Sequence, residues 1–165
     1  MAHIPKSLVT AFLASTCTMR LTMVIVEQKT VHLHLTATAP TACCPCCAVP
    51  SSAVHCRYQR RLTDLPWGRR LVRLQLTVRK FVCRQPTCQR HIFTERLPDL
   101  VAAHVRKTGR LVAALQAIGM ALGGNTGARL AARLRVPTSA APLLRLVRGA
   151  PIRPMPGLHQ IGVDE

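Results

Sequence analysis

The sequence predicts an α+β fold, in which an N-terminal β-hairpin and a small β module held by metal precede a module of three helices. Three observations lead there. Apolar residues alternate with period two in several segments before residue 83, and the period lengthens to helical spacing beyond Val101. Eight cysteines also occur in a chain of 165 residues that is only 3% aromatic. So few large side chains favour small modules tied together by something other than one large core.

Leu21, Met23 and Ile25 alternate with Thr22, Val24 and Val26, and after EQKT the residues Val31, Leu33 and Leu35 alternate with His32, His34 and Thr36. Two such runs around a short polar loop predict a β-hairpin. His32 and His34 share one side of their strand, which is read as solvent-facing. TATAPTA is a linker. AVHCRYQRRL predicts a strand, DLPWG a turn, and RRLVRLQLTVRKFVC a long strand. On that strand Val72, Leu74, Leu76 and Val78 form an apolar face, while Arg73, Gln75, Thr77 and Arg79 form a polar, cationic one.

Leu111, Leu115, Ile118 and Leu122 follow helical spacing up to Gly123-Gly124, where that helix is expected to stop. Asn125 can cap a second helix carrying Leu130 and Leu134, ending before Pro137. Thr138 or Ser139 can cap a third, with Leu143 and Val147 inward and Arg145 and Arg148 outward. Pro142 falls in its first turn, where no intrahelical N–H bond is lost. PIRPMPG is a linker, and LHQIGVDE ends the sequence. The organisation expected is 1–40 with the hairpin, 41–98 as the cysteine module, 99–150 as the helical module, and 151–165 as linker and following segment.

The stretch TACCPCCAVP contains two overlapping C-x-x-C pairs, Cys43/Cys46 and Cys44/Cys47. Four neighbours so close cannot all reach one ion. A structural zinc site takes four ligands in a tetrahedron, with Zn–S about 2.3 Å, commonly from two short knuckles. Cys83-RQPT-Cys88 supplies a second knuckle, and the 35 residues between Cys47 and Cys83 accommodate two strands and a turn. That layout is a zinc ribbon with structural Zn²⁺. Pro directly after the first ligand favours Cys44 and Cys47 with Cys83 and Cys88; the Cys43/Cys46 register is the alternative. Cys43, Cys46 and Cys56 are then spare thiols, Cys17 packs against apolar neighbours, and His55 and His91 are bystanders.

The net charge is +17. From Arg57 to Arg153, 18 Arg and 2 Lys stand against Asp64, Glu95 and Asp99, which accounts for all of it; the remaining charges cancel. A contiguous basic block of this kind reads as a surface for nucleic acid, with affinity drawn from counterion release at phosphates. An anionic membrane is disfavoured by the lack of an aromatic interfacial helix. Residues 1–18 imitate a secretion signal only loosely, and no stretch offers the ~20 uninterrupted apolar residues of a membrane span. A cytoplasmic location is expected, where clustered thiols stay reduced and bind metal.

The run from Cys44 to Pro98, CPCCAVPSSAVHCRYQRRLTDLPWGRRLVRLQLTVRKFVCRQPTCQRHIFTERLP, resembles the zinc-finger region of the ISL-three family of bacterial insertion-sequence transposases. The C-P-x-C knuckle, H-x-R-Y, D-L-P-W, the arginine-rich strand, and C-x4-C before I-F-x-E-R-L-P occur in the family's order. Cys44, Cys47, His55, Tyr58, Asp64, Pro66, Trp67, Cys83, Cys88, Phe93, Glu95 and Pro98 match. LGGNTGARLAARLRVPTS and PLLRLVR look like its helix-turn-helix, and IGVDE is similar to the start of its Asp-Asp-Glu catalytic domain. The resemblance also supports the Cys44/Cys47 register. Ala48-Val49-Pro50 departs from it, since a Gly commonly follows the second knuckle cysteine, and so do His91 and Ala141-Pro142.

The resemblance implies the DNA-binding part of a transposase, recognising the terminal inverted repeats of its element for DNA transposition. Its partner would be double-stranded DNA, with homo-oligomers compatible and no membrane involved. Arg73, Arg79, Arg145 and Arg148 would contact phosphate, and the third helix would enter the major groove. Asp164 would be the first carboxylate of an incomplete catalytic triad, with Mg²⁺ bound only in a full-length parent. The chain is therefore expected to be inactive in cleavage. A stand-alone zinc-ribbon and helix-turn-helix regulator is the alternative. An RNA-binding module is a third reading, disfavoured by scarce stacking aromatics.

Overall fold

The computed structural model describes residues 19–150, and within them the chain is mixed α+β. The hairpin forms as expected from β1 (Met19–Val26) and β2 (Thr30–Ala37). Two short strands, β3 (Ala42–Cys43) and β4 (Pro50–Ser51), pair around the first cysteine stretch. The long strands are β5 (Val54–Trp67) and β6 (Arg70–Val82), followed by β7 (Ile92–Thr94). The DLPWG turn moves to Gly68-Arg69, because β5 runs on through Trp67.

The hairpin does not stand apart. β2 pairs in parallel with β6 from Thr30↔Leu71 to Thr36↔Thr77, giving one sheet ordered β1-β2-β6-β5 with β7 on β6. The register aligns Val31, Leu33 and Leu35 with Val72, Leu74 and Leu76, so two alternating strands merge their apolar faces. Leu62, Val78, Leu100 and Val101 complete this core, the last two from the segment after β7 that crosses the face. That segment then covers the open edge of β5. Thr63 donates its N–H to the Arg106 carbonyl at 2.8 Å, and Thr108 donates to the Thr63 carbonyl at 3.0 Å. Covering an edge in this way removes a template for unwanted strand pairing.

The opposite face of the same sheet carries a second, smaller core. Phe81 and Phe93, paired across β6 and β7, stack at 5.9 Å between centroids and pack with Cys44, Cys83 and Cys88.

The helical part contains two elements among the described residues, α1 (Gly109–Arg133) and α2 (Ala140–Arg148). At the expected stop α1 breaks at Gly123 (φ 67, ψ −166), a conformation that side chains with a Cβ strongly disfavour. The helix resumes at once, so Asn125 lies inside it and is not its cap. Ser139 is the N-cap residue of α2, although its side chain makes no capping bond. α2 lies very close to α1: a Cβ added at Gly119 would meet Val147 Cγ2 at 2.6 Å and Leu143 Cγ at 3.2 Å. Leu111, Leu115, Ala131, Val136 and Leu143 form the core between them. By length and composition alone α1 is long and apolar enough to cross a membrane, although its sequence contains no uninterrupted apolar run of that length.

One buried carboxylate joins sheet and helices. Asp64 is 0% exposed near the end of β5. Its Oδ1 accepts from Thr108 Oγ1 at 2.6 Å, Arg110 Nε at 2.8 Å and the Leu65 N–H at 2.8 Å, while Arg110 also bonds Oδ2. Thr108 is the N-cap of α1, so the negative charge also faces the positive end of the helix. Asp64→Asn keeps the shape and removes the charge, so the buried ion pair with Arg110 is lost and an amide takes its place among the same donors. The expected cost is about 3 kcal/mol, at the low end for broken buried pairs because Arg110 is 35% exposed. Chemical denaturation of the metal-loaded chain checks it, and a loss below about 0.5 kcal/mol would show that the junction lies elsewhere.

Candidate metal centre

Cys44, Cys47, Cys83 and Cys88 converge, with all four Sγ atoms within 4.8 Å of one another. The sulfurs of Cys44 and Cys88 are 3.8 Å apart, and those of Cys47 and Cys83 3.6 Å apart. A tetrahedron with metal–sulfur bonds of about 2.3 Å has edges of about 3.8 Å, so the thiols already stand at the spacing of a single ion's ligands. Four soft thiolates in that arrangement suit Zn²⁺ or iron. Among the described residues this is the one cluster able to hold a metal. Cys43 and Cys46 are exposed and outside it, which resolves the register, and His55 and His91 are likewise excluded.

Backbone geometry builds each knuckle. β3 and β4 close the first, where Cys44 donates its N–H to the Val49 carbonyl and Ala48 donates to the Cys44 carbonyl. Ala48 is forced to φ 60, the left-handed region where glycine is at ease. In the second knuckle Cys83 donates to the His91 carbonyl, Cys88 donates to the Gln85 carbonyl, and the Arg90 N–H points at the Cys88 sulfur at 3.4 Å.

The thiols differ in acidity. The backbone N–H of Cys47, with that of Cys46 and the neighbouring thiols, outweighs burial at Cys44 and lowers its pKa to about 7. At Cys83 the Gln85 N–H pulls downward, but burial and the surrounding thiols of Cys47, Cys88 and Cys44 push the value up to about 12. Cys47 is raised as well: the Val49 N–H is outweighed by burial together with Cys44 and Cys88. Cys44 can thus ionise near neutral pH, whereas Cys83 needs a cation beside it to do so.

The expected phosphate contacts fare differently. Arg73 is exposed on the sheet face bearing His32, His34 and Gln75, and Arg145 and Arg148 are exposed on α2. His32 is 3.6 Å from Glu27 and ligates nothing among the described residues. Arg79 is corrected. Its Nη2 lies 2.7 Å from Glu95 Oε2 and 2.7 Å from the Ala39 carbonyl, and its guanidinium sits 5.0 Å over the Phe81 ring. That guanidinium is committed to the protein interior, 12% exposed, and braces β6 against β7 beside the metal cluster. A sequence signal for this existed, since acids are so rare in the basic block that each is a candidate partner for a buried cation. Asp164 and Cys17 lie outside the described residues.

No family model matches the chain, and neither the curated proteins nor the solved structures give a significant match.

Single Cys→Ser changes at 44, 47, 83 or 88 are expected to abolish tight metal binding and unfold the knuckle end, since metal binding and folding are coupled in small sites. Cys43→Ser and Cys46→Ser are expected to retain one metal per chain by elemental analysis. Ala48→Gly, which relieves the left-handed strain, is expected to stabilise the metal-loaded chain by about 1 kcal/mol in denaturant titration; destabilisation would contradict the strained geometry.

Proposed function

We propose that this chain is a zinc-dependent module that binds duplex DNA, the end-recognising part of a transposase of the ISL-three type. The observation that carries the reading is the convergence of Cys44, Cys47, Cys83 and Cys88 at tetrahedral spacing within a chain of net charge +17. The cluster is the one the resemblance requires, in the register it requires. Zn²⁺ is the ion assigned to it: four thiolates close the coordination sphere, leaving no open position for chemistry, so the metal acts structurally. The long strands and their two knuckles are read as a zinc ribbon.

The charge supplies the ligand class. Of the three acids in the basic block, Asp64 and Glu95 are buried in ion pairs, and Asp99 alone is exposed. The exposed charge of that block is consequently almost all positive among the described residues, as a phosphate-binding surface requires. The broken α1 and the short α2 are read as the helix-turn-helix, with α2 presenting Arg145 and Arg148. Arg73 on the sheet supplies a further phosphate contact.

Fluorescence anisotropy with duplexes carrying an element's terminal repeats tests this. Affinity should fall steeply with salt and exceed that for unrelated duplex. Arg145→Ala with Arg148→Ala should lower the salt slope by about 2, one for each phosphate no longer neutralised. Equal affinity for every duplex would reject end recognition, and iron in place of zinc on elemental analysis would reject the metal assignment.

A further inference from the structure

The sheet face that carries the larger core is only partly covered by the crossing segment. Where β5, the end of β6 and β7 meet residues 96–106, a groove of about 1000 Å³ remains. Its cations come from four separate parts of the chain: Arg60 from β5, Lys80 from β6, Arg90 from the second knuckle, and Arg96 and Arg106 from the crossing segment. Arg90, Arg96 and Arg106 are exposed and make no ion pair among the described residues. The one carboxylate lining the groove, Glu95, is already neutralised by Arg79. Convergence of unpaired like charges on one concavity is unfavourable for folding alone, and a polyanion relieves it.

Two contacts organise the groove. Arg60 donates to the Val105 carbonyl at 2.8 Å, tying the crossing segment to β5 and fixing the groove's width. Lys80 lies over the Tyr58 ring at 5.6 Å. That ring is the one tyrosine lining the groove, and the lysine occupies a face on which a base would stack. Recognition of unpaired bases relies on several free aromatic platforms, so the groove is built for phosphates.

We infer that this groove seats the phosphodiester backbone of one strand of duplex DNA, as a contact separate from α2. The inference rests on the reading that the chain binds duplex DNA and adds where a second stretch of backbone lies. Because the contacts are to phosphate, the groove contributes affinity and orientation without reading sequence. Its arginines come from the knuckle and the crossing segment, so the metal site has a second role: it holds Arg90 at the groove's rim.

The test uses the full zinc-loaded chain and a duplex of unrelated sequence as probe, with the anisotropy titration repeated across salt concentrations. Arg90→Ala, Arg96→Ala and Arg106→Ala combined should weaken binding about tenfold or more and lower the salt slope by about 3. The corresponding triple lysine variant should keep the slope, because charge and not shape carries the contact. Unchanged zinc content and thermal midpoint establish that the variants fold, as expected for exposed side chains. Hydroxyl-radical footprinting on a duplex carrying an element's terminal repeats should show that the alanine variant no longer protects one backbone patch, and that Arg145→Ala/Arg148→Ala exposes a different one. If the triple alanine variant keeps the wild-type slope while the α2 variant does not, the groove is not a DNA contact and the DNA-binding reading stands. If the wild-type chain binds no duplex, that reading itself fails. Preferential binding of a single strand or of RNA over the duplex overturns the inference.

Discussion

The structure depends on Asp64. Its carboxylate is fully buried at the place where the sheet and α1 are joined by hydrogen bonds, and every bond to it reaches a different level of organisation. The Leu65 N–H fixes the end of β5, Thr108 is both ligand to Asp64 and cap of α1, and Arg110 belongs to the first turn of that helix. Leu65, the next residue, packs into the core between the two helices. A buried charge is costly unless its partners satisfy it fully, so alternative orientations of the helices against the sheet would strand a desolvated carboxylate. The ion pair therefore specifies the geometry even where its net contribution to stability is modest.

The cores on the two sheet faces solve the problem of few aromatics differently. On one face, aliphatic side chains from β2, β5 and β6 interlock in register and need no other device. On the other, a single phenylalanine pair and the cysteines make up most of the buried apolar surface, too little to order two loops alone. A metal held by four thiolates supplies what that core lacks. The Arg79–Glu95 pair stands alongside, fixing the acid where β6 meets β7. Both buried acids thus serve the fold, and their consumption leaves the surface of the basic block with almost no negative charge. Structural pairing inside and cationic character outside are linked consequences of having three acids among twenty cations.

Much of this was determined by the sequence itself. Period-two alternation located β1, β2 and β6, and cysteine spacing with Pro45 selected Cys44, Cys47, Cys83 and Cys88, because these signals arise from local geometry and ligand chemistry. Gly123 likewise announced a break, since its conformation is a property of the residue. The tertiary structure decided the rest. The parallel pairing of β2 with β6 joins strands some forty residues apart, and alternation names a face without naming its neighbour. Arg73 and Arg79 look alike on one strand, yet only the approach of Glu95 and Ala39 removes the second from the surface. The partners of Asp64 and the cations of the groove are brought together by the crossing segment, whose path depends on which apolar face has room for Leu100 and Val101. Local chemistry is written in neighbouring residues, whereas long-range partnership is settled by which buried faces and charges find one another.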